Sequence, residues 1–234
     1  LMTISLLSKK VALWCALVLL FLEKDNTKQR YTILRNTMTI ILDMGGVLMN
    51  HNMPECIAHF TDILGEKNMK QFLGLATNGE GTTNSIMEQY ERGNISTDAF
   101  IEGIMQHAQR PTTREEIIAA WTTMHGGIPA ERLQHIQQWK AGHRLFLLSN
   151  NNELHWKDIF THYDMSMFEH CFASHLLHIS KPDPRIYKVV DDQLRAWKCE
   201  QPFHFVDDIA INRETAEQLG WKTYESIYEV MVEE

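Results

Sequence analysis

Short apolar stretches that end abruptly in polar residues are the feature that most constrains the fold of this chain. The stretches and their polar successors are Thr39–Leu42 before Asp43, 144–148 before Ser149, and Phe203–Val206 before Asp207 and Asp208. Short runs of β-branched and apolar residues are typical of buried strands. Each stretch therefore predicts a buried strand that delivers a polar side chain to a loop.

Helical patterns separate these predicted strands. Pro129 opens an amphipathic helix that Gly142 closes, and a later helix ends at Gly220 before a further strand at Lys222–Tyr224. Strands that alternate with helices predict an α/β fold with a doubly wound parallel sheet and helices on both faces. In such sheets a ligand binds beyond the carboxyl ends of the strands, where the polar residues of this chain collect.

The segment between the first two predicted strands contains helical patterns of its own. The candidate helices cover residues 88–92, 97–109 and 113–124. We therefore predict that residues 52–127 form an inserted helical cap. The α/β core then consists of residues 38–51 and 128–234.

Residues 1–37 form an extension before the first predicted strand. Lys9 and Lys10 precede an apolar run at 11–22, which is too short to span a bilayer but has about the length of a signal-peptide core. No small-x-small cleavage site follows this run. We predict that translation of the native protein starts at Met38 and that the protein is cytoplasmic, with secretion as the alternative if residues 1–37 are a functional signal.

Charge and cysteine content narrow the partners and the compartment. Lys and Arg total 22 against 30 Asp and Glu, a formal net charge of −8, so we expect no nucleic-acid partner. We also expect no membrane partner. No Cys-x-x-Cys pair occurs, which indicates free thiols in a reducing compartment. His175 and His178 are three residues apart, but no second pair of ligands has the spacing of a zinc site.

Four stretches resemble the four motifs of the haloacid dehalogenase (HAD)-like hydrolases, in the order of that family. They are residues 40–47, 147–150, 181–187 and 205–208. The stretch from Tyr90 to Ser96, followed by Phe100, also resembles the first cap helices of the sugar-phosphatase branch that includes α-glucose-1-phosphate phosphatases. The resemblance covers residues 38–224 and implies a Rossmann-like core and a hydrolase acting on a phosphorylated small molecule.

The resemblance also implies the roles of individual residues, and their chemistry suits those roles. Asp43 is the expected nucleophile, which becomes transiently phosphorylated. Ser149 and Lys181 are the other expected catalytic residues. The expected substrate-binding residues are Gly46, Ser149, Asn150 and Lys181, because hydroxyl, amide and ammonium groups donate to phosphoryl oxygens.

Asp207 and Asp208 offer hard oxygen ligands that suit Mg²⁺. In the family the metal also takes a carboxylate oxygen of the nucleophile and the backbone carbonyl two residues later, which are Asp43 and Gly45 here. The three carboxylates, one lysine and one Mg²⁺ have a total formal charge of zero, whereas without metal the carboxylates repel a phosphate dianion. We predict Mg²⁺ as the cofactor and favour Asp208 over Asp207 as its ligand.

Gly45 departs from the family pattern. Most phosphatases of the family have a second aspartate at this position, which protonates the leaving oxygen and then activates water. A missing acid or base costs roughly a hundred- to ten-thousandfold in rate. His51 is the first candidate for a side chain that replaces it.

Three interpretations of Gly45 compete. The first is a phosphatase for substrates with a good leaving group, such as anomeric sugar phosphates. The second is a hydrolase of carbon–halogen or carbon–phosphorus bonds, and the third is a catalytically silent phosphate-binding protein. Asp207 and Asp208 argue against a metal-free dehalogenase. Loss of chemistry is disfavoured by the presence of Asp43, Ser149, Lys181 and Asp208.

Overall fold

One sheet of five parallel strands forms the centre of the computed structural model, which describes residues 37–72 and 85–232. The strands are β1 (Thr39–Leu42), β2 (Arg144–Ser149), β3 (His170–Ala173), β4 (Phe203–Val206) and β5 (Lys222–Tyr224), in the spatial order β3-β2-β1-β4-β5. The predicted doubly wound parallel sheet is thus confirmed. The predictions for residues 1–36 lie outside the described residues.

Helices cover both faces of this sheet. The core helices are α5 (Ala130–Trp139), α6 (Glu153–His162), α7 (Ser174–Leu177), α8 (Pro184–Ala196) and α9 (Ala210–Glu217), followed by a 3₁₀ turn at Ile227–Glu229. All four residues of both β1 and β4 are buried, as expected of parallel strands packed on two sides. On β1, Ile40 and Leu42 contribute to one hydrophobic cluster and Ile41 to the other.

The sequence pattern does not predict β3. His170 and Cys171 begin this short strand, and His170 is exposed. An edge strand pairs on one side only, so it needs fewer apolar residues and leaves a weaker pattern in the sequence.

Between β1 and α5, the described residues contain four further helices, which we call the cap. They are α1 (Met53–Phe72), which is interrupted at Gly65 (φ 75°), α2 (Ile86–Glu91), α3 (Thr97–His107) and α4 (Arg114–Thr122). Ser85, Ser96 and Thr113 cap the amino-terminal ends of α2, α3 and α4 by accepting a backbone N–H with their side chains. None of the described helices is long and apolar enough to cross a membrane.

An aromatic cluster forms the interior of the cap. Its rings are those of Phe60, Phe72, Tyr90, Phe100 and Trp121, packed with centroid separations from 4.2 to 6.1 Å. Aromatic rings bury large apolar areas, so this cluster gives the cap a core separate from the two sides of the sheet.

The chain passes between sheet and cap through a short antiparallel ribbon. The Asn50 N–H donates to the Gly127 carbonyl (2.9 Å), the Gly126 N–H donates back to the Asn50 carbonyl (2.8 Å), and the Asn52 N–H donates to the Met124 carbonyl (2.8 Å). These bonds place His51 opposite His125. They also hold together the two segments by which the chain enters and leaves the cap.

Candidate active site

Asp43 lies at the carboxyl end of the central strand. Its backbone N–H donates to the Val206 carbonyl (2.8 Å), which continues the pairing of β1 with β4 for one residue. Its Oδ1 accepts from the backbone N–H of Met44 (2.7 Å) and contacts Lys181 Nζ (2.9 Å). Oδ2 has no hydrogen-bond partner among the described residues, so this oxygen is the one available to attack a substrate.

Lys181 is buried between two carboxylates. Its side chain is 1% exposed, and Nζ lies 2.9 Å from Asp43 Oδ1 and 2.6 Å from Asp207 Oδ2. The Asn150 side chain holds the lysine backbone, because Nδ2 donates to the Lys181 carbonyl and Oδ1 accepts the Lys181 N–H, both at 2.8 Å. Lys181 is thus fixed within the cluster and is not a solvated surface lysine.

The protonation of this cluster depends on burial and charge together. Burial raises the pKa of Asp43 to about 7; Lys181 opposes this effect and Asp207 adds to it. Burial by itself lowers the pKa of Lys181, but the attraction of Asp43 and Asp207 outweighs it and the pKa is raised. One ammonium therefore does not offset the neighbouring carboxylates, and a further cation favours ionised Asp43.

Asp207 and Asp208 have different environments. Asp207 is fully buried, where Oδ1 accepts from the Ile209 N–H (2.9 Å) and from Asn212 Nδ2 (2.9 Å), while Oδ2 contacts Lys181. Asp208 is exposed, and its carboxylate has no hydrogen-bond partner in the part of the chain that the structure describes. Both carboxylate oxygens of Asp207 are thus bound by groups of the protein, whereas the carboxylate of Asp208 is available to a ligand.

Gly46 allows Asp208 to approach the loop that follows β1. A Cβ at this position would lie 2.1 Å from Asp208 Oδ2, and the φ of +75° also favours glycine. The Gly46 N–H already donates to the Met49 carbonyl (2.9 Å). Gly46 therefore contributes to the site mainly because its lack of a side chain lets Asp208 lie close to the backbone.

One oxygen each from Asp43, Asp207 and Asp208 lies within 4.8 Å of the others. No other group of three potential ligand residues of this kind occurs in the described ranges. Carboxylate oxygens are the donors that Mg²⁺ prefers, and Asp208 supplies one that no protein group occupies. The donor set therefore fits a hard divalent cation.

Ser149 ends β2 and is buried, and its hydroxyl donates to the Asn150 carbonyl (3.3 Å). The structure thus brings Asp43, Lys181, Asp207, Asp208 and Gly46 together directly, while Asn150 joins them through the Lys181 backbone. Ser149 lies at the end of the neighbouring strand.

Two residues of the site were missed in the sequence. Asn212 Nδ2 bonds both oxygens of Asp207 (2.9 and 3.1 Å), and Arg213 Nη1 donates to the Asp207 carbonyl (2.7 Å). Both lie in the first turn of α9, directly after the acidic pair. Their position, five and six residues after Asp207, could have identified them. Polar side chains in the first turn of a helix point back towards the residues that precede the helix.

His51 occupies the space beside Gly45. A Cβ built on Gly45 would lie 2.3 Å from His51 Nε2 and 2.4 Å from Cε1. A side chain at position 45 therefore requires the imidazole to move.

The end of α2 contacts the core segment that precedes Lys181. Ser174 Oγ donates to the Glu91 carbonyl (2.5 Å), and Arg92 Nε donates to Ser180 Oγ (3.0 Å). Burial and, to a smaller extent, the charge of Glu88 raise the pKa of the Glu91 carboxyl to about 7, and Arg92 opposes this rise. The cap stretch that resembles sugar phosphatases thus lies against the core, next to the segment that carries the buried lysine.

Comparison with known proteins supports the resemblance. The family model of the haloacid dehalogenase-like hydrolases matches residues 37–220. The D-ribitol-5-phosphate phosphatase of Bacteroides thetaiotaomicron is 24% identical over an alignment of 199 residues, which covers 80% of this chain and 90% of that protein.

Solved structures give the same result. A HAD family enzyme of Bacteroides thetaiotaomicron, in complex with magnesium and inorganic phosphate, is 28% identical with a TM-score of 0.69, over 80% of this chain and 93% of that one. A Porphyromonas gingivalis protein described as a predicted HAD-like family hydrolase is 25% identical with a TM-score of 0.67, over 81% and 90% of the two chains.

Proposed function

This chain belongs to the haloacid dehalogenase-like hydrolases, and we propose that it is a magnesium-dependent phosphatase of a small sugar phosphate or sugar-alcohol phosphate. The observation that carries this proposal is the state of Asp43. One carboxylate oxygen is held by Lys181 and a backbone N–H, while the other has no hydrogen-bond partner among the described residues. One oxygen of Asp43 also lies within 4.8 Å of an oxygen of the Asp208 carboxylate.

Asp43 Oδ2 attacks phosphorus, and the alcohol leaves as the phosphoryl group passes to Asp43. Water then hydrolyses this aspartyl phosphate and regenerates the carboxylate, so one difficult hydrolysis becomes two easier steps. Lys181 holds the nucleophile in position through Oδ1. Ser149 and Asn150 at the neighbouring strand end, together with Gly46, are the proposed contacts of the phosphoryl oxygens.

Asp43, Asp208 and the Gly45 carbonyl are the proposed ligands of Mg²⁺, with Asp207 as the alternative ligand. A bound Mg²⁺ offsets the negative charge that a phosphate dianion meets among three carboxylates. Asp208 is preferred because Asp207 already serves Lys181 and Asn212.

The proposed substrate class rests on the relatives and on the cap. A relative that aligns with 80% of this chain is a D-ribitol-5-phosphate phosphatase. A similar solved structure contains magnesium and inorganic phosphate. Hydrolysis of a carbon–halogen bond is a weaker proposal, since it leaves the exposed Asp208 carboxylate without use. A silent phosphate-binding protein does not need a nucleophile with a free oxygen.

The test is phosphate release from a panel of sugar and sugar-alcohol phosphates, including D-ribitol 5-phosphate, with Mg²⁺ and with a chelator. We expect phosphate release that requires Mg²⁺ and that disappears in Asp43→Asn. Absence of phosphate release from every ester, including activated aryl phosphates, would contradict the proposal. Halide release from haloacids without Mg²⁺ would favour the dehalogenase alternative.

A further inference from the structure

We propose that His51 is the acid–base catalyst of this hydrolase and acts from the space that a side chain at position 45 would otherwise fill. This inference rests on the phosphatase function proposed above. It explains how the reaction proceeds although residue 45, two positions after the nucleophile, carries no side chain.

The contact between His51 and Gly45 is the first support. The Nε2–Cε1 edge of the ring faces Gly45, with Nε2 2.3 Å from the place of a Cβ. The φ of Gly45 lies outside the left-handed range, in contrast to the +75° of Gly46, so the backbone alone does not call for glycine at position 45. The imidazole is what excludes a side chain there.

The location of Gly45 gives the second support. In the chain it lies between Asp43, whose Oδ2 has no hydrogen-bond partner in the described part of the chain, and Gly46, where a Cβ would lie 2.1 Å from Asp208 Oδ2. The His51 ring edge therefore abuts the loop that follows the proposed nucleophile and passes beside the Asp208 carboxylate. His51 is also exposed, so a substrate can reach it.

The ribbon between sheet and cap fixes the backbone of His51. Hydrogen bonds of 2.8–2.9 Å join Asn50 and Asn52, on either side of it, to the returning chain, and His125 lies opposite. His125 Nδ1 in turn contacts Asp158 Oδ2 (2.9 Å) on α6. A catalytic group on a paired segment is held more accurately than one on a free loop.

The chemistry balances with His51 as both acid and base. When the phosphorus–oxygen bond of the ester breaks, its electron pair goes to the leaving oxygen, which takes the Nε2 proton of the imidazolium and departs as the alcohol. The neutral ring then takes a proton from the water that attacks the phosphorus of the aspartyl phosphate. The net reaction converts the ester and water to alcohol and inorganic phosphate, and it restores Asp43 and the imidazolium.

The experiment measures how the rate of phosphate release depends on the acidity of the leaving group. Wild type, His51→Ala and His59→Ala are each given a series of aryl and primary alkyl phosphates with Mg²⁺. His59 is an exposed histidine on α1 and is the matched control. We expect a weak dependence for wild type and His59→Ala. For His51→Ala we expect a steep dependence, with a roughly hundred- to ten-thousandfold loss on alkyl esters and little loss on activated aryl esters.

A second pair of variants tests the shared space. Gly45→Asp alone places a carboxylate against the imidazole, so we expect it to impair hydrolysis. In Gly45→Asp with His51→Ala the carboxylate has room, and we expect partial recovery of alkyl ester hydrolysis relative to His51→Ala.

The outcomes separate this inference from the proposed function. If wild type hydrolyses esters but His51→Ala keeps the same weak dependence, or loses rate equally on all esters, His51 is not the proton donor and the phosphatase proposal stands. If wild type already shows the steep dependence, the enzyme relies on good leaving groups and the inference is again wrong. If wild type hydrolyses none of the esters, both proposals fail. Retained activity on activated aryl esters shows that His51→Ala is folded.

Discussion

The core and the cap use charged groups differently. In the core, Asp43, Lys181 and Asp207 are buried and paired with one another. In the cap, Arg110 pairs with Asp62 and Glu116 in partly to largely exposed contacts, and the interior is a hydrophobic cluster that includes five aromatic rings. Exposed ion pairs contribute little to stability, whereas a buried charge that loses its partner is costly. The core therefore positions the reactive groups. The contribution of the cap to the site depends on how it is attached to the core.

The cap is held by a few buried polar contacts with the start of α6. Trp121 Nε1 donates to Asn152 Oδ1 (3.1 Å), and His155 Nε2 contacts the Trp121 carbonyl (2.8 Å). The Tyr90 hydroxyl accepts the Leu154 N–H (3.0 Å). The two regions thus differ in their interiors, and the polar contacts at the start of α6 can be tested separately from the catalytic groups.

The largest expected difference between the regions is in turnover. Asp43→Asn should lower the rate of phosphate release by roughly a thousandfold or more, because an amide keeps the shape of the side chain but is a poor nucleophile. Asp62→Asn in the cap should leave the rate unchanged. Circular dichroism and Mg²⁺ titration check that Asp43→Asn keeps its fold and largely keeps its metal affinity. Turnover retained by Asp43→Asn would remove Asp43 from its role.

Substitution of the adjacent acids Asp207 and Asp208 should distinguish a role in stability from a role in metal binding. Asp207→Ala removes one of the two carboxylate partners of Lys181 and leaves the buried Asn212 Nδ2 without its acceptor, so we expect a loss of roughly 1–3 kcal/mol in the free energy of unfolding. Asp208→Ala should change that free energy by less than about 0.5 kcal/mol. It should instead raise the Mg²⁺ concentration needed for half-maximal activity sharply.

Urea unfolding and Mg²⁺-dependent phosphate release measure the two effects. An unchanged Mg²⁺ requirement in Asp208→Ala would transfer the role of metal ligand to Asp207.

The interface between core and cap should be sensitive to acid. Burial, with a smaller effect of His125 in the same direction, lowers the pKa of His155 from its ordinary 6.5 to about 3, although the bond to the Trp121 carbonyl opposes this shift. Between these values the unfolded chain binds the proton and the folded chain does not, so stability falls as the pH falls. One proton corresponds to about 1.4 kcal/mol in the free energy of unfolding per pH unit.

His155→Gln should lose this part of the pH dependence, while His59→Gln on the cap surface should keep it. The measurement is urea unfolding at several pH values between 4 and 6. Equal slopes in His155→Gln and wild type would mean that His155 is not the group whose protonation destabilises the fold.

The smallest effect concerns the indole that joins the regions. Trp121→Phe removes the hydrogen bond to Asn152 and should lower the free energy of unfolding by about 1 kcal/mol more than Trp139→Phe does. Trp139 is a buried core tryptophan whose indole N–H makes no hydrogen bond within the described ranges. Thermal or urea unfolding of both variants measures the difference. Equal losses would mean that packing alone holds the cap at this point.

The sequence by itself determined the layout of the core. Strand patterns followed by polar residues predicted β1, β2 and β4, and a further strand after Gly220 was predicted at β5. Parallel strands bring their carboxyl ends to one edge. The observed register pairs Leu42 with Val206, so the residues that follow, Asp43 and Asp207, are neighbours. The expectation that acids would meet there needed only the strand pattern, since sheet geometry does the rest.

Only the tertiary structure decided what each polar group does. Asp207 and Asp208 are adjacent and chemically identical, yet one is buried against Lys181 and Asn212 and the other is free. Successive side chains leave the backbone in different directions, and that direction is set by the loop and by α9.

The same reason applies to Gly45 and His51. The sequence places them six positions apart and suggests that His51 stands in for a missing acid, but it does not show where the ring lies. The ribbon fixes the His51 backbone, and the imidazole lies where the side chain of residue 45 would be. Contacts of this kind depend on how a loop folds back on itself, because residues distant along the chain fix its path, and neither strand nor helix periodicity encodes them.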